Sequence, residues 1–155
     1  MPTTDNLPPY ELLEDGFSIS TDPARLDLDV IHGYLTRSYW AAGRSREQVA
    51  RSLAHSLCFG LYHGRSIQIG LARVITDFTT FAYLCDVFVL EKYQGHSLGT
   101  WLISAVADHP DLRGLRRFML ATRDAHGLYA KFGFTPISDT EKWMEIVRTA
   151  PPVPM

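Results

Sequence analysis

Positive charge is not in excess in this chain: Lys and Arg total 15 against 17 Asp and Glu, for a net charge of −2. That balance gives no electrostatic footing for a nucleic-acid backbone or an anionic membrane, so a polyanionic ligand has to be held locally. Long apolar runs are also missing. There is no stretch of 18 apolar residues and no charged-then-apolar leader, so neither a membrane span nor secretion is expected, and the chain reads as cytoplasmic and soluble. Cysteine is sparse. Cys58 and Cys85 both lie in apolar runs and fit no metal-ligand spacing, which predicts buried free thiols and no metal site. Internal repeats and linkers are absent as well.

What is present suits one self-standing domain over residues 1–155: the chain is 46% hydrophobic and 12% aromatic, enough for a sizeable core. Pro-rich, aperiodic ends (Met1-Pro2-Thr3-Thr4 and Leu7-Pro8-Pro9 at the start, Ala150 to Met155 at the end) place that core at about 16–148. Phe17-Ser18-Ile19-Ser20 alternates as a short strand. Behind Asp27, the spacing of Val30, Ile31, Tyr34 and Leu35 predicts an amphipathic helix, and Ser45-x-x-Gln48 has the form of a capping box for a second. Three apolar runs follow, Leu57–Tyr62, Ile67–Thr76 and Phe81–Leu90. The short polar breaks between them predict an antiparallel meander, and their nearly continuous apolar character predicts helices on both faces. A helix from Leu98 to His109-Pro110, a strand over Arg117–Thr122, a short helix with Asp124 as N-cap and Gly133 as C′ residue, and a last strand over Trp143–Val147 complete the pattern. The predicted class is mixed α/β (α+β), with a largely antiparallel central sheet covered by helices on both faces.

Gln94-Gly95-His96-Ser97-Leu98-Gly99 satisfies two motifs with incompatible chemistry. Read as Gly-x-Ser-x-Gly, it is a nucleophile elbow with Ser97 exposed on a strained strand-to-helix turn. That reading needs the strand to run directly into the turn, but Glu91 to Gln94 intervene. It also needs a usable histidine, yet His109 lies about 18 Å along the same predicted helix at ~1.5 Å per residue. His126 lacks the insertion that delivers a triad histidine, and no HGGG-type segment precedes the site. Read as Gln-x-x-Ser-x-Gly, the segment is a backbone-lined anion cradle opening a helix, with Gly95, Ser97 and Gly99 small enough for a pyrophosphate to approach. The strand before it and the helix after it fit this second reading, and the hydrolase is set aside.

Some 30 residues on, Asp124-Ala125-His126-Gly127-Leu128-Tyr129-Ala130-Lys131-Phe132-Gly133-Phe134 puts a tyrosine on a short helix ending in Phe-Gly-Phe. With cradle and tyrosine helix in this order, the chain resembles the GNAT superfamily of N-acetyltransferases over most of its length. The resemblance implies acetyl-coenzyme A as co-substrate. Its pyrophosphate would be gripped by the backbone of Gln94, Gly95, His96, Ser97, Leu98, Gly99 and Thr100. Its pantetheine arm would lie between Asp86–Val89, with Val87, Phe88 and Val89 as contacts, and Phe118–Thr122. Where the family has the first glycine of the cradle, this chain has Ser97, which fits the turn if its φ stays negative. His96 is placed either to touch a phosphate or to sit solvated in the loop.

The implied reaction is acetyl transfer to a primary amine of a small molecule or peptide, by direct attack in a ternary complex. A non-catalytic acyl-coenzyme A binding or sensing module on the same fold is the alternative. An alkylamine has a pKa of about 10.4, so something must take its proton before attack. Asp86, a carboxylate inside an apolar run, is the candidate base, because burial would raise its pKa; it reads equally as the partner of a buried arginine such as Arg73, and a water chain could replace it. Tyr129 matches the family's general acid, which reprotonates the leaving thiolate, and alternatively packs as a core tyrosine. For the acceptor, Trp40 offers a cation–π face or plain core, Arg44 or Arg73 a carboxylate ligand, and Asp77 an amine ligand or a turn residue. Monomer and homodimer are both compatible with the edge strands.

Overall fold

Asp15 and Gly16 take positive φ, 51° and 83°, the combination that closes a two-residue hairpin whose twist matches its strands. They join β1 (Glu11–Glu14) to β2 (Phe17–Ser20), so the sheet begins before the expected start of the core at about residue 16. The computed structural model describes residues 8–148, and most of the two Pro-rich ends, 1–7 and 149–155, lies outside the described residues. After β2 come α1 (Leu28–Leu35), α2 (Arg46–Ala54), β3 (Leu57–His63), β4 (Ile67–Thr76), β5 (Phe81–Val89), α3 (Leu98–Asp108), β6 (Arg117–Leu120) and α4 (His126–Ala130). Asp27 caps α1 by accepting from Val30 N–H at 3.2 Å, and Ser45 and Gln48 form the reciprocal capping box of α2.

The six strands lie in chain order, antiparallel throughout except for β5 and β6, which are parallel and joined by the α3 crossover. Each face carries its own core. Ile19, Phe59, Leu61, Ile69, Val74 and Leu84 pack with Leu102, Ile103 and Val106 of α3. On the other face, Cys58, Leu71 and Phe88 pack with Ile31 and Leu35 of α1 and Val49 and Leu53 of α2. This is the mixed, largely antiparallel sheet with helices on both faces that the apolar runs predict.

One residue breaks the alternation of β5. Val74 pairs with Leu84 and Arg73 with Cys85, but Leu71 then pairs with Phe88, so β5 carries one extra residue, and Asp86 within it has φ 50°. A bulge of this kind exchanges the faces. Ala82 and Leu84 belong to the α3 core, whereas Phe88, of the same parity, packs on the α1–α2 side.

Three expectations are corrected. The strand expected over Arg117–Thr122 ends at Leu120, because Thr122 is used to start α4: its Oγ1 accepts from Ala125 N–H at 3.0 Å. That displaces Asp124 as the N-cap; the cap position is Ala125, which makes no side-chain hydrogen bond. Trp143–Val147 forms no strand. Trp143 lies under the Arg117 guanidinium at 4.7 Å instead of entering a ladder, and Met144, Ile146 and Val147 stay exposed. An alternating pattern makes a strand only where a neighbouring edge accepts its hydrogen bonds.

Candidate active site

Pairing between β5 and β6 runs from Phe81–Arg117 to Leu84–Leu120 and stops. From Cys85 to Val89, β5 keeps its β4 partner but, among the described residues, has no strand on its β6 side, so the two parallel strands part after Leu84. Phe88 and Val89 turn their side chains into the two cores, Phe88 stacking on Tyr34 at 4.2 Å and 8°. That leaves their backbone on the side where β6 has stopped pairing, while Val87 is partly buried and lines the cavity described below.

Just beyond this unpaired edge lies the Gln94–Thr100 segment. Gln94 ties it to β5 by donating from Nε2 to Val89 O at 2.8 Å. Gly95 and Ser97 then take positive φ, 85° and 62°, and α3 begins at Leu98. The first backbone N–H beyond Gln94 to find an acceptor is that of Trp101, which donates to Ser97 O. Among the described residues, the six N–H groups from Gly95 to Thr100 have no backbone or side-chain acceptor. They lie at the positive end of an 11-residue helix, which suits an anion. The condition set for Ser97, a negative φ, is not met: the serine takes the left-handed conformation and adopts it under strain. His96 is exposed in the same loop.

The bulge delivers Asp86 to the α1–α2 side, where three donors meet it. Trp40 Nε1 donates to Oδ1 at 2.9 Å, Arg44 Nη1 to Oδ2 at 2.7 Å and Arg73 Nε to Oδ2 at 2.8 Å. Arg73 also donates to Ser56 Oγ at 3.0 Å. Burial pushes the carboxyl pKa up, but the charges of Arg44 and Arg73 and their hydrogen bonds outweigh it and hold the pKa below the ordinary aspartate range. The expected raised pKa is therefore corrected. An isolated buried carboxylate would be raised; this one is not isolated.

A cavity of about 510 Å³ opens over this cluster, with Tyr39, Trp40 and Arg44 from the α1–α2 loop, Arg73, Tyr83 and Asp86 from the sheet, and Arg123, Asp124 and Tyr129 from the loop into α4. Gly133, with φ 95°, ends α4: its N–H donates to Ala130 O and that of Phe134 to Tyr129 O, the bond pattern of a glycine at C′. The Tyr129 ring packs edge-on to Phe134 at 6.0 Å. Its hydroxyl has no hydrogen-bond partner among the described residues. It is not sealed in, because only the Tyr62 hydroxyl is buried without a partner there. Burial, then the nearby Tyr39, raises the Tyr129 pKa, so the phenol stays protonated. Tyr129 also lines a second cavity, of about 940 Å³, between β6, α3 and the stretch after Phe134.

Asp77 is not brought to this site. It sits in the β4–β5 turn, accepting from the Thr80 hydroxyl and from the N–H groups of Thr80, Thr79 and Phe81, which hold its carboxyl well below the usual range. The two thiols are free. Burial pushes Cys58 to about 12 and Cys85 to about 11, which keeps both protonated. Sequence reasoning missed Arg123, which lines the cavity with its guanidinium 3.8 Å above the ring of Tyr39, a residue of the α1–α2 loop that the resemblance places at the acceptor pocket. Arg123 stands beside Asp124, which was singled out, but nothing in the spacing shows that it meets Tyr39. Among the described residues no helix is long and apolar enough to cross a membrane, and no three His, Cys, Asp or Glu side chains cluster as metal ligands.

Residues 16–134 match the family model described as the acetyltransferase (GNAT) family. A Gibberella zeae protein named as a candidate acetyltransferase is 34% identical over 145 residues, covering 79% of this chain and 81% of its own length. A Xanthomonas campestris crystal structure, of a protein named as a candidate GNAT-family acetyltransferase, superposes with a TM-score of 0.82 at 47% identity, over 85% of this chain and 93% of that one. A Clostridium acetobutylicum protein named as a predicted acetyltransferase and solved with acetyl-coenzyme A shares the fold, with a TM-score of 0.59 at 14% identity over 84% of this chain and 94% of that one.

Proposed function

The chain belongs to the acetyltransferase (GNAT) family and is an acyl-coenzyme A-dependent acetyltransferase; from that premise we propose that it moves the acetyl group to a primary amine by direct attack in a ternary complex. The observation that carries the reading is the run of unpaired N–H groups from Gly95 to Thr100, just beyond the β5 edge that β6 leaves unpaired, together with the cavity that Asp86 and Tyr129 both line. In this reading the N–H groups bind the pyrophosphate and the free edge of Cys85–Val89 binds the pantetheine amides. The thioester then comes to rest beside the cavity that holds the amine.

Tyr129 serves as general acid. Collapse of the tetrahedral intermediate expels a thiolate whose conjugate acid has a pKa of about 8.5, and a phenol that remains protonated at neutral pH can return a proton to it. Asp86 positions rather than accepts. With three donors on it and a lowered pKa, it holds Trp40, Arg44 and Arg73 in place, and the amine proton leaves through water in the open cavity.

The test is release of free coenzyme A from acetyl-coenzyme A with a panel of primary amines. Amine-dependent release is the expected result. An acyl-coenzyme A sensor on the same fold would bind the thioester and release nothing with any amine.

A further inference from the structure

The side chains around the 510 Å³ cavity carry more positive than negative charge: Arg44, Arg73 and Arg123 face Asp86 and Asp124. The surplus is deepest inside, where two guanidiniums share one carboxylate whose side chain is 1% exposed. Asp86 has little left for an incoming ammonium, since three of the roughly four acceptor positions of its carboxylate are taken by Trp40, Arg44 and Arg73 and its charge is already shared by two guanidiniums. The arginines, by contrast, are not used up. Arg44 donates only from Nη1 and is one-third exposed; Arg73 donates from Nε and Nη1. Since only the Tyr62 hydroxyl is sealed without a partner among the described residues, the remaining Nε and Nη2 of Arg44 and Nη2 of Arg73 reach open space.

We propose that the acceptor amine carries a carboxylate, bound by the guanidinium donors of Arg44 and Arg73 that Asp86 leaves free, with Arg123 as a third cation at the mouth. This rests on the acetyl-transfer reading and names its substrate class. A planar carboxylate matches the guanidinium fork, and it neutralises a buried positive surplus that is otherwise costly. A cationic acceptor such as a diamine would add a like charge to the same enclosed space.

Two measurements test this. The first is binding without turnover: glutarate and cadaverine are titrated into the coenzyme A-bound protein, reading the fluorescence of Trp40, whose indole N–H lies on Asp86, with Trp40→Phe identifying the signal. Glutarate should bind, cadaverine should not, and Arg44→Gln should weaken glutarate about ten-fold or more, the worth of one charge-assisted hydrogen bond. Arg123→Gln, on an exposed side chain, should weaken it by a smaller factor, and melting curves establish that both variants are folded. The second compares kcat/KM for lysine against cadaverine and for phenylalanine against phenethylamine. The acid-bearing member should be favoured about ten-fold or more, with the preference lost in Arg44→Gln. Cadaverine binding as well as glutarate, equal use of the decarboxylated amines, or a preference that survives Arg44→Gln would each overturn the proposal. If no amine released coenzyme A while glutarate still bound through Arg44, the acetyl-transfer reading alone would fail.

Discussion

Ser97 holds φ 62° at the mouth of the anion cradle, where a side chain costs about 1–2 kcal/mol and a glycine would not. Part of that gain is returned through the unfolded chain, where glycine adds roughly 0.5–1 kcal/mol of entropy to be lost on folding. Ser97→Gly should therefore stabilise the protein by about 0.5–1 kcal/mol, read as a shifted urea midpoint at unchanged slope. Asp86 is the opposite case, a residue whose strained φ is retained because three donors need it. Asp86→Asn leaves Arg44 and Arg73 facing a neutral amide and should cost about 3–5 kcal/mol. Because the folded pKa is below the unfolded value of about 3.9, this stabilisation is fully present above about pH 5 and is lost as pH falls through the folded pKa. Urea titrations from pH 7 down to pH 3 should show the gap between wild type and Asp86→Asn narrowing on the acid side.

At the level of elements, the first three helices were legible in the sequence because period and cap agree in each, Asp27 before α1, Ser45 with Gln48 on α2 and His109-Pro110 after α3, and the central meander through its short polar breaks. β1 was not anticipated: Glu11-Leu12-Leu13-Glu14 does not alternate and is mostly exposed, so only Asp15-Gly16 after it carries a hairpin signal. Nor was the bulge. One extra residue in β5 leaves an apolar run looking continuous, and only pairing with β4 reveals that Asp86 changes face. That is why Asp86 read as a lone carboxylate with a raised pKa, although Arg73 was recognised as a possible partner. The cleft itself was legible only through the likeness to a family, since where β6 stops pairing is a property of two strands together. Gly133 carries the element-scale prediction. A Cβ there meets nothing within 4 Å, so Gly133→Ala is penalised by its φ of 95° alone. It should cost about 1 kcal/mol and disturb the last turn of α4. Steady-state kinetics should then show a lower kcat with the KM for acetyl-coenzyme A nearly unchanged.

On the scale of the whole molecule, the proposed ligand site lies where the sheet comes apart, so occupying it would join β5, β6 and the start of α3. A ligand at a hundred times its Kd adds about 2.7 kcal/mol to the folded state. For a domain of this size that raises Tm by about 5–10 °C, which a melting scan with and without acetyl-coenzyme A would register. The central claim is narrower: Tyr129, raised in pKa and lining the cavity, returns the proton to the thiolate. The most direct measurement is the initial rate of coenzyme A release by Tyr129→Phe against wild type, with the amine saturating and acetyl-coenzyme A varied. The expected result is a kcat lower by about 10²–10⁴ with the KM for acetyl-coenzyme A little changed. A phenylalanine variant that turns over at the wild-type kcat would contradict it.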